Sequence, residues 1–156
     1  MDHASHQNPV DLPNLTKTTF NPLPTQDKPE KDAITCHVLD TTSGRPARGI
    51  DVTLTLLHPL GPSSPLKATT NEDGRVSRWN ALDGPDLKSV IRNLQEHSDA
   101  AIVWELVFQT GKYFGPGKSF WPEVRLQFFS DAGDKNAHYH VPLLLGPWSY
   151  TTYRGS

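Results

Sequence analysis

Among its 156 residues the sequence has one cysteine, Cys36. A single thiol excludes a disulfide framework and a cysteine-built zinc cluster, and it is compatible with a reducing compartment. No run approaches the roughly 18 consecutive apolar residues that a bilayer span requires, and the N-terminus lacks the basic region and apolar stretch of a secretory signal. A soluble, intracellular chain that is not secreted is expected. Cytoplasm and peroxisome both remain open, because neither end carries a peroxisomal address. An excess of one charge is missing too, since the formal net charge is −2. Without a basic field to gather phosphates, nucleic acid is not an expected partner. Also absent are a phosphate-binding glycine loop, a Gly-x-Ser-x-Gly elbow and a Cys/His pair at a nucleophile spacing, which removes the simplest covalent mechanisms.

What is present is unevenly spread. Residues 1–32 hold one of the fourteen aromatics but five of the fourteen prolines, and their three lysines against five acids account for the whole net charge. Such a segment cannot bury enough apolar surface to offset its ordering entropy. It is expected to be a disordered leader, with the folded domain over residues 33–156.

From Ile34 onward the apolar residues recur with period two, as in strands that bury one face. Ile50, Val52, Leu54 and Leu56 alternate with Asp51, Thr53 and Thr55; Val124, Leu126 and Phe128 alternate with Arg125 and Gln127. The pattern predicts strands near 34–39, 50–57, 66–70, 75–79, 102–109, 122–130, 138–145 and 148–154, with polar turns between them. An all-β sandwich follows. Leu87, Val90, Ile91 and Leu94 break the period at i, i+3, i+4 and i+7, so a short amphipathic helix is expected within 83–97. A second helical turn is expected over Thr110 to Phe114.

Parity then sorts the polar residues. If Ile34, Cys36 and Val38 face the core, His37 points outward, and Cys36 is a small core residue. If Tyr139, Val141, Leu143 and Leu145 face the core, His138 and His140 point outward. Three imidazoles share one side if the two strands belong to one sheet. Exposed histidines can be plain polar decoration, and His138-x-His140 also has the same-face spacing of strand-borne zinc ligands, with His37 as a third. Asn71-Glu72-Asp73-Gly74-Arg75 forms a tight turn that launches Arg75 from a set backbone position. The final Tyr150 to Ser156 segment is rich in hydrogen-bonding groups and invites a role in a site, against the plainer reading of an edge strand that stops.

These residues carry a family resemblance. Ile34-Thr35-Cys36-His37-Val38-Leu39-Asp40 with Ser43-Gly44-Arg45-Pro46-Ala47, then Thr70 to Arg75, Tyr113-Phe114, His138 to Leu145 and the final Tyr153-Arg154-Gly155-Ser156 resemble the transthyretin-like 5-hydroxyisourate hydrolases. Small departures are Gly146 and Thr151, where the family often has Ser, and the helical stretch at 83–97 is longer than the usual connection. The resemblance covers about residues 33–156. It implies a sandwich of two four-stranded sheets with one or two short helices, assembled as a homotetramer, a dimer of dimers, with active sites in the channel between dimers. It further implies hydrolytic ring opening of a small cyclic amide without metal or cofactor. The family's catalytic positions match His37, Arg75 and His140, and substrate binding adds Tyr153. Supporting roles are expected for His138, Arg154, Gly155 and Ser156. The alternative is a transthyretin-like carrier of a small ligand without catalysis, for which this polar, reactive set is a poor lining.

Overall fold

The computed structural model describes residues 30–97, 101–134 and 136–156. Most of the expected leader lies outside these residues. Its last three positions, Glu30 to Asp32, lie against the domain: Asp32 donates its N–H to the Ser77 carbonyl at 2.9 Å and accepts the Trp79 N–H on its carboxylate at 2.8 Å. Glu30 pairs with Lys88 at 2.6 Å on the surface.

The chain runs β1 (Ile34–Asp40), β2 (Arg45–Pro46), β3 (Asp51–His58), β4 (Leu66–Thr69), β5 (Arg75–Val76), β6 (Asn80–Ala81), α1 (Leu87–His97), β7 (Ile102–Phe108), α2 (Thr110–Phe114), β8 (Val124–Ser130), β9 (Tyr139–Leu145) and β10 (Tyr150–Thr152). One sheet has the order β10-β9-β1-β2, with β5 also pairing β1; the other has the order β6-β4-β3-β7-β8. The expected two-sheet sandwich with two short helices is what forms. Each sheet has five strands rather than four, because the two-residue pieces β2 and β6 close turns by pairing with β1 and β4.

The stretch expected as one strand over 75–79 is divided between the sheets. Arg75 and Val76 pair with β1, whereas Asn80 and Ala81 pair with β4. Trp79 sits at the crossover, buried, with its indole N–H donated to the Ile34 carbonyl at 2.8 Å. A buried indole needs such a partner, and satisfying it ties the crossover to the first strand. The final strand is also shorter than expected. After Thr152 only Gly155 pairs, opposite His140.

Alternation sets the core. On β3, Val52, Leu54 and Leu56 are buried between half-buried neighbours, and they meet Ile34, Cys36 and Val38 of β1, Trp104, Leu106 and Phe108 of β7, and Val141, Leu143 and Leu145 of β9 in one cluster. Leu87 and Leu94 of α1 join that cluster, with Val90 and Ile91 packed beside them. Asp86 starts the helix by accepting the Ser89 N–H at 2.8 Å. No helix among the described residues is long and apolar enough to cross a membrane.

Two polar anchors, buried Thr70 and exposed Asn71, hold the loops that carry β5. Thr70 donates to the Ala47 carbonyl at 2.7 Å and accepts the Ile50 N–H at 2.9 Å. Asn71 accepts the N–H groups of Asp73 and Arg75 on its side chain, so the turn is folded by its own residues. Gly74 has φ of +68°, and a Cβ there would run into the Val38 carbonyl oxygen and lie 3.0 Å from the Ala47 nitrogen. Its own carbonyl accepts the Val38 N–H at 2.8 Å. A side chain at this position therefore meets both backbone strain and a backbone clash. Gly74→Ala is expected to destabilise the fold by about 2 kcal/mol or more. Chemical denaturation measures it, and an unchanged midpoint would show that the turn has room to relax.

Candidate active site

The site grows from one register. β1 and β9 are parallel neighbours, and Thr35 lies opposite His140 while His37 lies opposite Pro142. On its other side β1 meets β5 antiparallel, with His37 opposite Arg75. Directly opposed residues in a ladder present their side chains to the same face. His140, Thr35, His37 and Arg75 therefore form a band across three strands on the face turned away from the core. His138, just before β9, joins the same face. The His37 and His140 ring centroids are 6.4 Å apart, and those of His138 and His140 are 6.3 Å apart and nearly parallel.

Thr35 was not singled out by the sequence reading, and it is the residue that joins two of the imidazoles. Its side-chain oxygen is 2.8 Å from His140 Nδ1 and 3.1 Å from His138 Nε2. The residue is buried. Parity already put Thr35 on the face of His37; what was missing was the strand opposite it. Among the described residues no group of three or more His, Cys, Asp or Glu side chains is gathered to hold a metal ion.

Partial burial lowers the His37 pKa below the ordinary 6.5, because the charged ring loses hydration, and the Arg75 guanidinium lowers it further. Asp73 acts in the opposite direction through its backbone and its charge, without reversing the shift. His140 is lowered by the same loss of hydration first, then by Arg75 and by the neighbouring His138, His37 and Lys31. Both rings are thus held neutral at neutral pH, beside a fixed cation. A neutral imidazole can take a proton from water, and a guanidinium can hold an anionic or oxygen-rich group. Cys36, next to His37 in sequence, faces the core, where burial pushes its thiol up to about 12. It is therefore unavailable as a thiolate.

The last residues line the approach. A cleft of about 430 Å³ is bounded by Arg125, Phe128, Tyr139, His140, Tyr153 and Arg154. Tyr153 is exposed, and the Arg154 guanidinium lies 5.7 Å from the centre of the Tyr139 ring. Gly155 donates its N–H to the His140 carbonyl at 2.9 Å. A Cβ on Gly155 would come within 2.7 Å of the His140 ring and 3.0 Å of Pro142. The close approach of this segment to the histidine thus needs glycine. Ser156 is exposed. His37 and Arg75 do not bound the cleft; they lie farther along the same face, past His140.

Comparison with known proteins gives the family. The HIUase/Transthyretin family model matches residues 34–155. The chain is 40% identical over 134 residues to a probable 5-hydroxyisourate hydrolase of Schizosaccharomyces pombe, covering 83% of this chain and 95% of that protein. Among solved structures it resembles the 5-hydroxyisourate hydrolase of Klebsiella pneumoniae with a TM-score of 0.52 and 26% identity, over 79% of this chain and 98% of that one. Transthyretin from Sparus aurata gives a TM-score of 0.60 at 21% identity, over 79% of this chain and 96% of that one, a likeness of fold. With residues 34–155 of its 156 matched, the chain belongs to the HIUase/Transthyretin family.

Proposed function

We propose that this protein hydrolyses 5-hydroxyisourate, opening the six-membered ring at the amide between N1 and C6 to give 2-oxo-4-hydroxy-4-carboxy-5-ureidoimidazoline. The observation that carries the reading is the band of His140, His37 and Arg75 across β9, β1 and β5, in which two imidazoles are kept neutral beside a guanidinium. Relatives named 5-hydroxyisourate hydrolase support the substrate.

The reaction needs an activated water, stabilisation of charge at the carbonyl oxygen and a proton for the departing nitrogen. A neutral histidine removes a proton from water as the oxygen attacks C6. Arg75 orients the substrate and balances the negative charge that develops on it. The histidine nitrogen that took the proton then returns it to N1 as the N1–C6 bond breaks, so neither metal nor cofactor is consumed. His37 and His140 share water activation and proton transfer, with His37 holding the attacking water beside Arg75, and Tyr153 and Arg154 hold the substrate in the cleft next to His140. Gly155 and Ser156 support that wall.

The homotetramer belongs to the same reading. β8 and β10 are edge strands, and Phe129, Trp148 and Tyr153 on or beside them are exposed aromatics. Free edges and exposed apolar surface favour association.

Four measurements test the reading. Urate and urate oxidase generate 5-hydroxyisourate, whose absorbance should decay faster with micromolar protein; decay at the spontaneous rate would remove the activity and favour a carrier. His140→Asn should then lower turnover by roughly 10²-fold or more, whereas an unchanged rate takes His140 out of the proton transfer. The pH dependence of kcat/KM follows from the lowered pKa values of both histidines, because the working form is the neutral one. The acid limb should be centred below the ordinary histidine value of about 6.5, and a limb centred above about 6.5 would contradict the neutral-base assignment. Sedimentation at assay concentrations should give four times the mass of the chain. A fully active monomer would refute the shared channel.

A further inference from the structure

Thr35 has a hydroxyl placed between two rings, and its hydrogen count limits what those rings can do. A threonine hydroxyl has one hydrogen to donate and lone pairs to accept. Among the described residues its side-chain oxygen meets His140 Nδ1 at 2.8 Å and His138 Nε2 at 3.1 Å, and no other hydrogen-bond partner. One hydrogen cannot serve both nitrogens. Both rings could donate to its oxygen only by leaving the buried hydroxyl hydrogen unused, which costs free energy. The favoured arrangements therefore have one ring accepting from Thr35 while the other donates its own N–H to it. If His140 donates from Nδ1, His138 accepts on Nε2 and carries its proton on Nδ1. If His138 donates from Nε2, His140 accepts on Nδ1 and carries its proton on Nε2. In either arrangement the two histidines have the same tautomer, and one cannot change without the other.

We propose that Thr35 is a positioning residue that joins His138 and His140 into one proton-passing unit, with both rings protonated on Nδ1 in the resting enzyme and His140 Nε2 left bare for the water. The proposal rests on the hydrolytic reading of this site. The atoms balance as follows. Water gives a proton to His140 Nε2 as its oxygen bonds to C6. His140 passes the Nδ1 proton to the Thr35 oxygen, and the original Thr35 hydrogen moves to His138 Nε2. His138 is now the imidazolium, and His140 is neutral with its proton on Nε2. When the N1–C6 bond breaks, His140 Nε2 gives that proton to N1. His138 returns a proton through Thr35 to His140 Nδ1, and the resting state is restored.

The unit explains three features together. One ring nitrogen can act as base and then as acid without turning the ring. The positive charge in the intermediate sits on His138, one residue removed from the substrate. A buried hydroxyl on the outer face of a strand also has both its bonding directions used. Sequence spacing contributes to the geometry: His138 and His140 are two apart on one strand face, and the register puts Thr35 opposite His140.

The test separates this proposal from the proposed activity. Nitrogen-15 NMR of histidine-labelled full-length protein, without substrate and at a pH where both rings are neutral, reads the tautomer of each ring. Both His138 and His140 should carry the proton on Nδ1, the minor form of free histidine, and Thr35→Val should return both toward the Nε2 form. Unlike tautomers, two Nε2 forms in the unaltered protein, or no change in Thr35→Val would overturn the unit whatever the enzyme hydrolyses. In the absorbance assay Thr35→Val should lower kcat about tenfold or more with KM little changed, and Thr35→Ser, which keeps the hydroxyl, should restore most of it. Equal losses in Ser and Val variants, or no loss in Val, would show a packing role instead. His138→Ala should cost about as much as Thr35→Val, and the double variant no more than either; additive losses would show two independent effects.

Discussion

The parallel pairing of β1 with β9 is the constraint on which the rest depends. It joins residues about a hundred positions apart through seven consecutive pairs, from Ile34 opposite Tyr139 to Asp40 opposite Leu145. One face of that pair gives the core Ile34, Cys36, Val38, Val141, Leu143 and Leu145. The other face carries Thr35, His37 and His140. A slip of one residue would turn every side chain over, placing imidazoles in the core and leucines outside. The apolar burial that holds the sandwich together therefore holds the site together as well.

Around this pair the chain spends its special residues on close approach. Gly74 lets the turn before β5 reach the Val38 carbonyl and puts Arg75 opposite His37. Gly155 lets the last residues lie against the His140 ring. Trp79 ties the crossover between sheets to Ile34 through its indole. Asp40 at the end of β1 accepts the Thr42 and Ser43 N–H groups and the Tyr113 hydroxyl, so the turn after β1 and the helix α2 are fixed to the same strand. None of these hydrogen bonds uses the side chains of His37, His140 or Arg75 on the outer face.

The same sandwich occurs in transthyretin from Sparus aurata, a likeness of fold, and a fold by itself does not fix a function. What separates a reactive face from a ligand-holding one is the chemistry of a few side chains. Here two imidazoles lie where burial and a guanidinium keep them uncharged, and a hydroxyl links one of them to a third.

By itself the sequence determined the periodicities, and with them the strands, the helix α1, the inward face of each strand and the outward side of His37, His138 and His140. Those are local properties, decided by alternation and spacing along a few residues. Its motifs, from His37 to the final Tyr153-Arg154-Gly155-Ser156, also carried the family. Only the tertiary structure decided which strands are neighbours, because pairing and register depend on how distant apolar faces fit together. Thr35 could not be picked out among the many threonines until β9 was set beside β1, and the stretch at 75–79 could not be divided between two sheets until Trp79 had a place to bury. A side chain's direction is written in its own strand; its partner is written in another.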